Sequence, residues 1–65
     1  MNVFPQGTTV TAVDRDGGVV DGGKVVRYYA ERTYLPAGFY AEGAYTLETA
    51  DGHRFTWLSH LCTPA

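Results

Sequence analysis

The sequence predicts an all-β domain: a small five-stranded barrel, closed or half-open, with one short 3₁₀ turn near the C-terminus. Helix signals are almost missing, because eight glycines and three prolines in 65 residues leave no window of helical length with an unbroken 3.6-residue apolar period. Strand signals recur instead. Runs such as residues 8–14, TTVTAVD, and 24–32, KVVRYYAER, are rich in β-branched and aromatic residues and are bounded by turn formers. Closing such short strands into a barrel also hides the sheet edges.

The most legible element is the hairpin at residues 44–58, AYTLETADGHRFTWL, for which two registers compete. With Asp51-Gly52 as a two-residue loop, Tyr45 faces Leu58, Leu47 faces Thr56 and Glu48 sits opposite Phe55. With Ala50-Asp51-Gly52 as the loop, a type I turn closed by a left-handed glycine, Tyr45 faces Trp57, Leu47 faces Phe55 and Thr49 faces His53. The same register sets Glu48 against Arg54 and Thr46 against Thr56 on the other face. Only the three-residue loop gives one apolar face and one polar face with an opposite-charge pair, so that register is expected.

The remaining elements follow in order. Residues 8–14 read as a first strand after the turn Pro5-Gln6-Gly7. The segment DRDGGVVDGGK, with Asp-Gly-Gly at Asp16 and again at Asp21, reads as a long, turn-rich excursion carrying at most a short irregular ribbon around Val19-Val20. Residues 24–32 form the second main strand, with Val26, Tyr28 and Ala30 inward and Arg27, Tyr29 and Glu31 outward. Leu35-Pro36-Ala37-Gly38 reads as a turn across which residues 33–35 and 39–41 pair. SHLCTPA then supplies a turn of 3₁₀ helix and a short closing strand ending at Pro64.

Composition bounds the function. A chain this short buries only about 60% of the surface its unfolded form exposes. Cys62 is the single cysteine, so no internal disulfide is expected, and no Cys/His cluster suggests zinc or another cofactor. A cytoplasmic, reducing location is the natural expectation, with self-association as another way to gain buried area. Residues 1–10 show neither the basic start nor the apolar run of a signal peptide, and no window approaches the roughly 20 apolar residues of a membrane span, so no membrane association is expected. Net charge is −2 with five Lys and Arg, which disfavours a general nucleic-acid binder. The absence of isoleucine, with one lysine and one asparagine, is the bias of a high-GC genome and points to a bacterial or phage source.

The layout of strand, excursion, strand, connection, tight hairpin, helical turn and last strand, with Phe55-Thr56-Trp57-Leu58-Ser59-His60-Leu61 at its end, resembles the SH3-like small β-barrel. The front half, residues 7–13 followed by Gly17-Gly18 and Gly23-Lys24-Val25, is loosely similar to the KOW pattern of ribosome- and transcription-associated barrels. The resemblance implies a five-stranded barrel. It does not carry over PxxP binding, because the chain lacks the ALYDY-type stretch and paired tryptophans. Nor does it carry over RNA binding, because the KOW glycine spacing and basic loops are missing. Fold alone does not imply function.

Candidate chemistry is sparse. Asp14, Asp16 and Asp21 sit among glycines, but a calcium loop starting at Asp14 needs a glutamate where Val25 stands, so turn formation is the better reading. Ser59, His60 and Cys62 have no orienting carboxylate or oxyanion loop nearby, and no enzymatic activity is expected. The aromatics are more numerous than so small a core needs. Tyr28, Tyr45 and Phe55 are assigned to the core, while Tyr29, Tyr34, Phe39 and Tyr40 are candidates for the surface. Tyr29, Tyr34, Tyr40 and Trp57, flanked by Arg27 and Arg54, are expected to contact a protein partner or a second copy of the chain. Two alternatives stand beside this: the rings pack over the open ends of the barrel, or they stack on nucleic-acid bases while Arg27, Arg32 and Arg54 contact phosphates.

Overall fold

A computed structural model describes residues 3–65. Five strands, β1 (Thr9–Val13), β2 (Val19–Tyr34), β3 (Tyr40–Glu48), β4 (Arg54–Leu58) and β5 (Cys62–Pro64), form one antiparallel sheet in the order β4-β3-β2-β1-β5. A 3₁₀ turn, Ser59–Leu61, joins β4 to β5. Among the described residues the fold is therefore all-β with one late 3₁₀ turn, as predicted. None of its helices is long and apolar enough to cross a membrane. The Cα extents of 26 × 23 × 21 Å are nearly equal, whereas a flat sheet would be thin in one direction, so the sheet coils around its own inner face.

The β3–β4 hairpin adopts the three-residue loop. Tyr45 pairs with Trp57, Thr46 with Thr56, Leu47 with Phe55 and Glu48 with Arg54. Thr49 N–H donates to the His53 carbonyl at 2.8 Å, the Gly52 N–H to the Thr49 carbonyl at 3.0 Å, and Gly52 has φ 85°. Asp51 knits this loop: its carboxylate accepts from the Thr49 hydroxyl and, at 3.3 Å, from the His53 N–H. Those hydrogen bonds hold its pKa below the usual value.

The excursion expected after β1 is a strand instead. Val19–Tyr34 is continuous; residues 19–24 pair with β1 and residues 24–34 with β3. The first Asp-Gly-Gly ends a tight turn, with Gly17 N–H donating to the Asp14 carbonyl at 3.0 Å and Asp14 N–H to the Gly18 carbonyl at 2.8 Å. The second is not a turn at all: Asp21, Gly22 and Gly23 lie opposite Ala12, Thr11 and Val10. Glycine is needed at Gly23 for room, because the passing β3 backbone puts the Glu48 carbonyl oxygen 2.7 Å from where a Cβ would stand.

Two bulges in β2 correct the expected facing. Val25 pairs with Leu47 and Arg27 with Thr46, so Val26 is the extra residue, and Val25 rather than Val26 enters the core. The register slips again between Tyr29 and Arg32, which leaves Ala30 exposed rather than inward. Alternation read straight along the strand cannot anticipate either shift.

The core has two parts. Val10, Ala12, Val25, Tyr45, Leu47 and Cys62 form the larger, with Phe4, Tyr28, Phe55 and Trp57 packed against it. Leu35, Ala41, Ala44 and Leu58 form the smaller, with Tyr29, Phe39, Leu61 and again Trp57. Tyr45 stands in the core as expected, whereas Tyr28 and Phe55 are only half-buried and pack against it from the margin. The Phe4 N–H donates to the Tyr45 hydroxyl at 2.9 Å, tying the N-terminal segment over the larger cluster.

Adjacent glycines allow a direct check. Gly23→Ala is expected to lower stability by about 1–3 kcal/mol through the clash with the Glu48 carbonyl. Gly22→Ala, whose Cβ would sit 3.5 Å from the Val10 carbonyl oxygen, is expected to be neutral or stabilising by about 0.5 kcal/mol. Urea midpoints of the two variants measure the difference.

Candidate binding groove and aromatic surface

Trp57 organises the site. Its place opposite Tyr45 turns the indole toward the core, and its Nε1–H donates to the Val13 carbonyl, the last of β1, at 2.8 Å. The ring packs against both core clusters and meets Phe39 edge-on, with centroids 6.4 Å apart and planes at 81°. An indole N–H that finds a partner at a half-buried site is well placed to present its remaining ring edge as a contact surface.

The β1–β2 turn stands beside it. One carboxylate oxygen of Asp14 accepts from the Asp16 N–H at 2.9 Å and the Gly18 N–H at 2.8 Å, an Asx arrangement that fixes the turn. Between this turn and the 3₁₀ segment runs an open groove of about 520 Å³. Phe39, Trp57, Leu58 and Leu61 give it an apolar floor, and Asp14, Arg15 and Asp16 give it a charged rim. Few converging polar groups around an apolar depression is the usual make-up of a binding site, and the volume lies in the usual range.

The residues expected to form one surface fall in three places. Tyr34 and Tyr40 face each other at the end of the β2–β3 hairpin, 60% and 56% exposed, with centroids 5.0 Å apart in an edge-on pair. The Arg32 guanidinium lies 4.3 Å over the Tyr40 ring. Tyr29 is half-buried against the smaller cluster, and the Arg27 guanidinium lies 4.8 Å over its ring. Trp57 belongs to the groove. Arg54 is held by Glu48, Nε to Oε1 at 3.1 Å, with the Arg54 side chain largely exposed and that of Glu48 partly so. Such a pair is worth little for stability.

Register explains a second grouping. Lys24 lies opposite Glu48, which lies opposite Arg54, and Arg27 lies opposite Thr46, which lies opposite Thr56. These two rows are two residues apart on β3, so they share the outer face of the sheet. Three of the chain's five basic residues thus stand on one face, around a Thr46–Thr56 hydroxyl pair at 2.9 Å. Arg32 is separated from them by the second bulge.

Sequence reasoning missed the groove as a unit. Leu58, Leu61 and the Asp14–Asp16 rim gave no signal beyond ordinary strand and turn chemistry. The one available clue was the need of the Trp57 indole N–H for a partner. The tail residues separate: Cys62 is buried, with its thiol donating to the Leu58 carbonyl at 3.3 Å, while His60 is exposed on the 3₁₀ turn. Burial pushes the Cys62 thiol pKa up from 9.0 to about 11, so the thiol is neutral at physiological pH and a poor nucleophile.

Two outcomes are expected. Trp57→Phe keeps a packed ring but strands the Val13 carbonyl, and should lower stability by about 1–2 kcal/mol in urea unfolding. The raised thiol pKa means that the folded state favours the protonated thiol, so its stabilisation is full below pH 9.0 and is lost as pH rises toward about 11. A plot of Tm against pH should fall less steeply over that window in Cys62→Ser than in the parent.

Comparison of the chain with protein-family models, with curated proteins and with solved structures gave no match.

Proposed function

We propose that this domain is a non-enzymatic protein-binding module that takes an extended segment of another protein in the groove floored by Phe39, Trp57, Leu58 and Leu61. The observation that carries the reading is this apolar floor set beside a turn that Asp14 holds rigid, since a preformed site loses little conformational freedom on binding. The exposed Tyr34–Tyr40 pair under Arg32 supports the reading as a further contact region, reached from the groove through Phe39. The free thiol of Cys62 supports action in a reducing compartment such as the cytoplasm.

Panning a display library of extended peptides against the domain tests the reading. Enriched peptides are expected to bind Phe39→Ala and Leu61→Asp at least about tenfold more weakly, about 1.4 kcal/mol, while Arg54→Ala binds as the parent does. Enriched peptides that bind Leu61→Asp undiminished would remove the groove from the account.

The grouping of Lys24, Arg27 and Arg54 on one face favours a second reading, a nucleic-acid-binding barrel in which these side chains contact phosphates. Its signature is affinity for a single-stranded oligonucleotide that falls steeply with salt and is lost in Arg27→Glu. An aromatic and apolar protein interface changes little over the same salt range.

A further inference from the structure

The open edge of β4 carries an inference beyond the groove. In an antiparallel pair, alternate residue pairs exchange backbone hydrogen bonds, and the pairs between them direct N–H and C=O away from the partner strand. Thr49 N–H bonds the His53 carbonyl, so the register makes Leu47–Phe55 and Tyr45–Trp57 the bonded pairs. Glu48–Arg54, Thr46–Thr56 and Ala44–Leu58 are then the non-bonded ones. The close Thr46–Thr56 hydroxyl contact at 2.9 Å fits the shorter side-chain separation of such a pair. The backbone groups of Arg54 and Thr56, with the Leu58 N–H, therefore point out of the sheet, and β4 is a terminal strand. The Leu58 carbonyl is already taken by the Cys62 thiol.

Two other free edges among the described residues are guarded. The β2 edge beyond Val25 carries the two bulges of the β2–β3 ladder, and β5 is three residues long and ends in Pro64. Bulges, short strands and proline are the devices that keep sheet edges from pairing. β4 has neither proline, glycine nor a register shift, and its one charge is Arg54.

We propose that β4 pairs antiparallel with β4 of a second copy about a two-fold axis through Thr56, joining the two sheets edge to edge. This register is the one that pairs all five residues of the strand. Thr56 meets its own equivalent, Phe55 meets Trp57 of the second copy, and Arg54 meets Leu58 of the second copy. Shifted by two residues, the axis would set Arg54 against its own equivalent, a like-charge contact. Charge complementarity favours the second copy as the occupant. Leu58 lines the groove together with Asp14, Arg15 and Asp16, a rim of two carboxylates and one guanidinium. An Arg54 placed opposite Leu58 therefore lies beside a rim of net negative charge on the other copy, and two-fold symmetry makes the contact twice. Asp16 is its nearest match, because Asp14 already holds the turn. A single pair of five-residue strands is a small interface of the transient class.

Sedimentation equilibrium from about 10 µM to about 1 mM covers the dissociation constants expected of so small an interface. The parent chain is expected to dimerise with rising concentration. Thr56→Pro removes an outward N–H without breaking a β3 ladder bond, and should be monomeric throughout, while Thr56→Val, which loses the hydroxyl but keeps the N–H, should dimerise. Arg54→Glu should be monomeric, and Arg54→Glu combined with Asp16→Lys, which leaves the Asp14 turn bonds in place, should recover the dimer. Amide NMR spectra of each variant confirm that it is folded. A parent chain monomeric over the whole range, or a folded Thr56→Pro variant that dimerises as the parent does, would overturn the proposal. Groove-peptide binding measured on monomeric Thr56→Pro tests the groove reading separately.

Discussion

The Trp57 indole is the side chain on which the closure of this molecule depends most. The sheet order β4-β3-β2-β1-β5 leaves β4 at one end and β1, with its short neighbour β5, near the other, and the two ends must meet for a 65-residue chain to enclose a core. Among the described residues no strand ladder joins them. Two side-chain bonds do: the Cys62 thiol of β5 donates to the Leu58 carbonyl of β4 at 3.3 Å, and the indole of Trp57 reaches from β4 to the last carbonyl of β1 at 2.8 Å. The indole bond itself is worth about 1 kcal/mol net, but it fixes a ring that belongs to both core clusters. Loss of the ring would cost packing on two sides as well as one hydrogen bond.

The long β2 strand answers the same constraint from the other direction. One strand serves two ladders, β1 with its first part and β3 with its second. Where the ladders overlap, at Lys24, the two neighbouring strands crowd the backbone, and Gly23 with the bulge at Val26 absorbs the crowding. The bulge also turns Val25 and Tyr28 to the same side, which puts Tyr28 within 5.1 Å of Tyr45, centroid to centroid.

What the sequence disclosed followed the range of the interactions involved. The β3–β4 register was legible in full because Glu48–Arg54, Tyr45–Trp57 and the left-handed Gly52 are local and agree with one another. The β2–β3 turn at Leu35–Gly38 was legible for the same reason. The second Asp-Gly-Gly misled because Gly23 answers to a strand 25 residues away, at the Glu48 carbonyl, and not to a turn. The facing of Val26 and Ala30 failed because bulges leave no mark in an alternating pattern. Likewise the aromatic residues were identifiable as an excess, but their division into groove, hairpin end and sheet face depends on tertiary position. Arg54 and Tyr34, expected on one surface, belong to different parts of the molecule.

The functional reading rests on the same closure, since the ring that ties β4 to β1 also floors the groove and lies beside the open β4 edge. The most direct measurement is solvent hydrogen exchange of the Trp57 indole N–H, followed by NMR alongside the backbone amides of Tyr45 and Leu47 in the core. A closing bond predicts that the indole proton exchanges only when the whole domain unfolds, with the protection of those core amides. An indole proton exchanging at the rate of a free tryptophan while the core amides stay protected would contradict the account, and the barrel would then have to be held closed by packing and the Cys62–Leu58 bond.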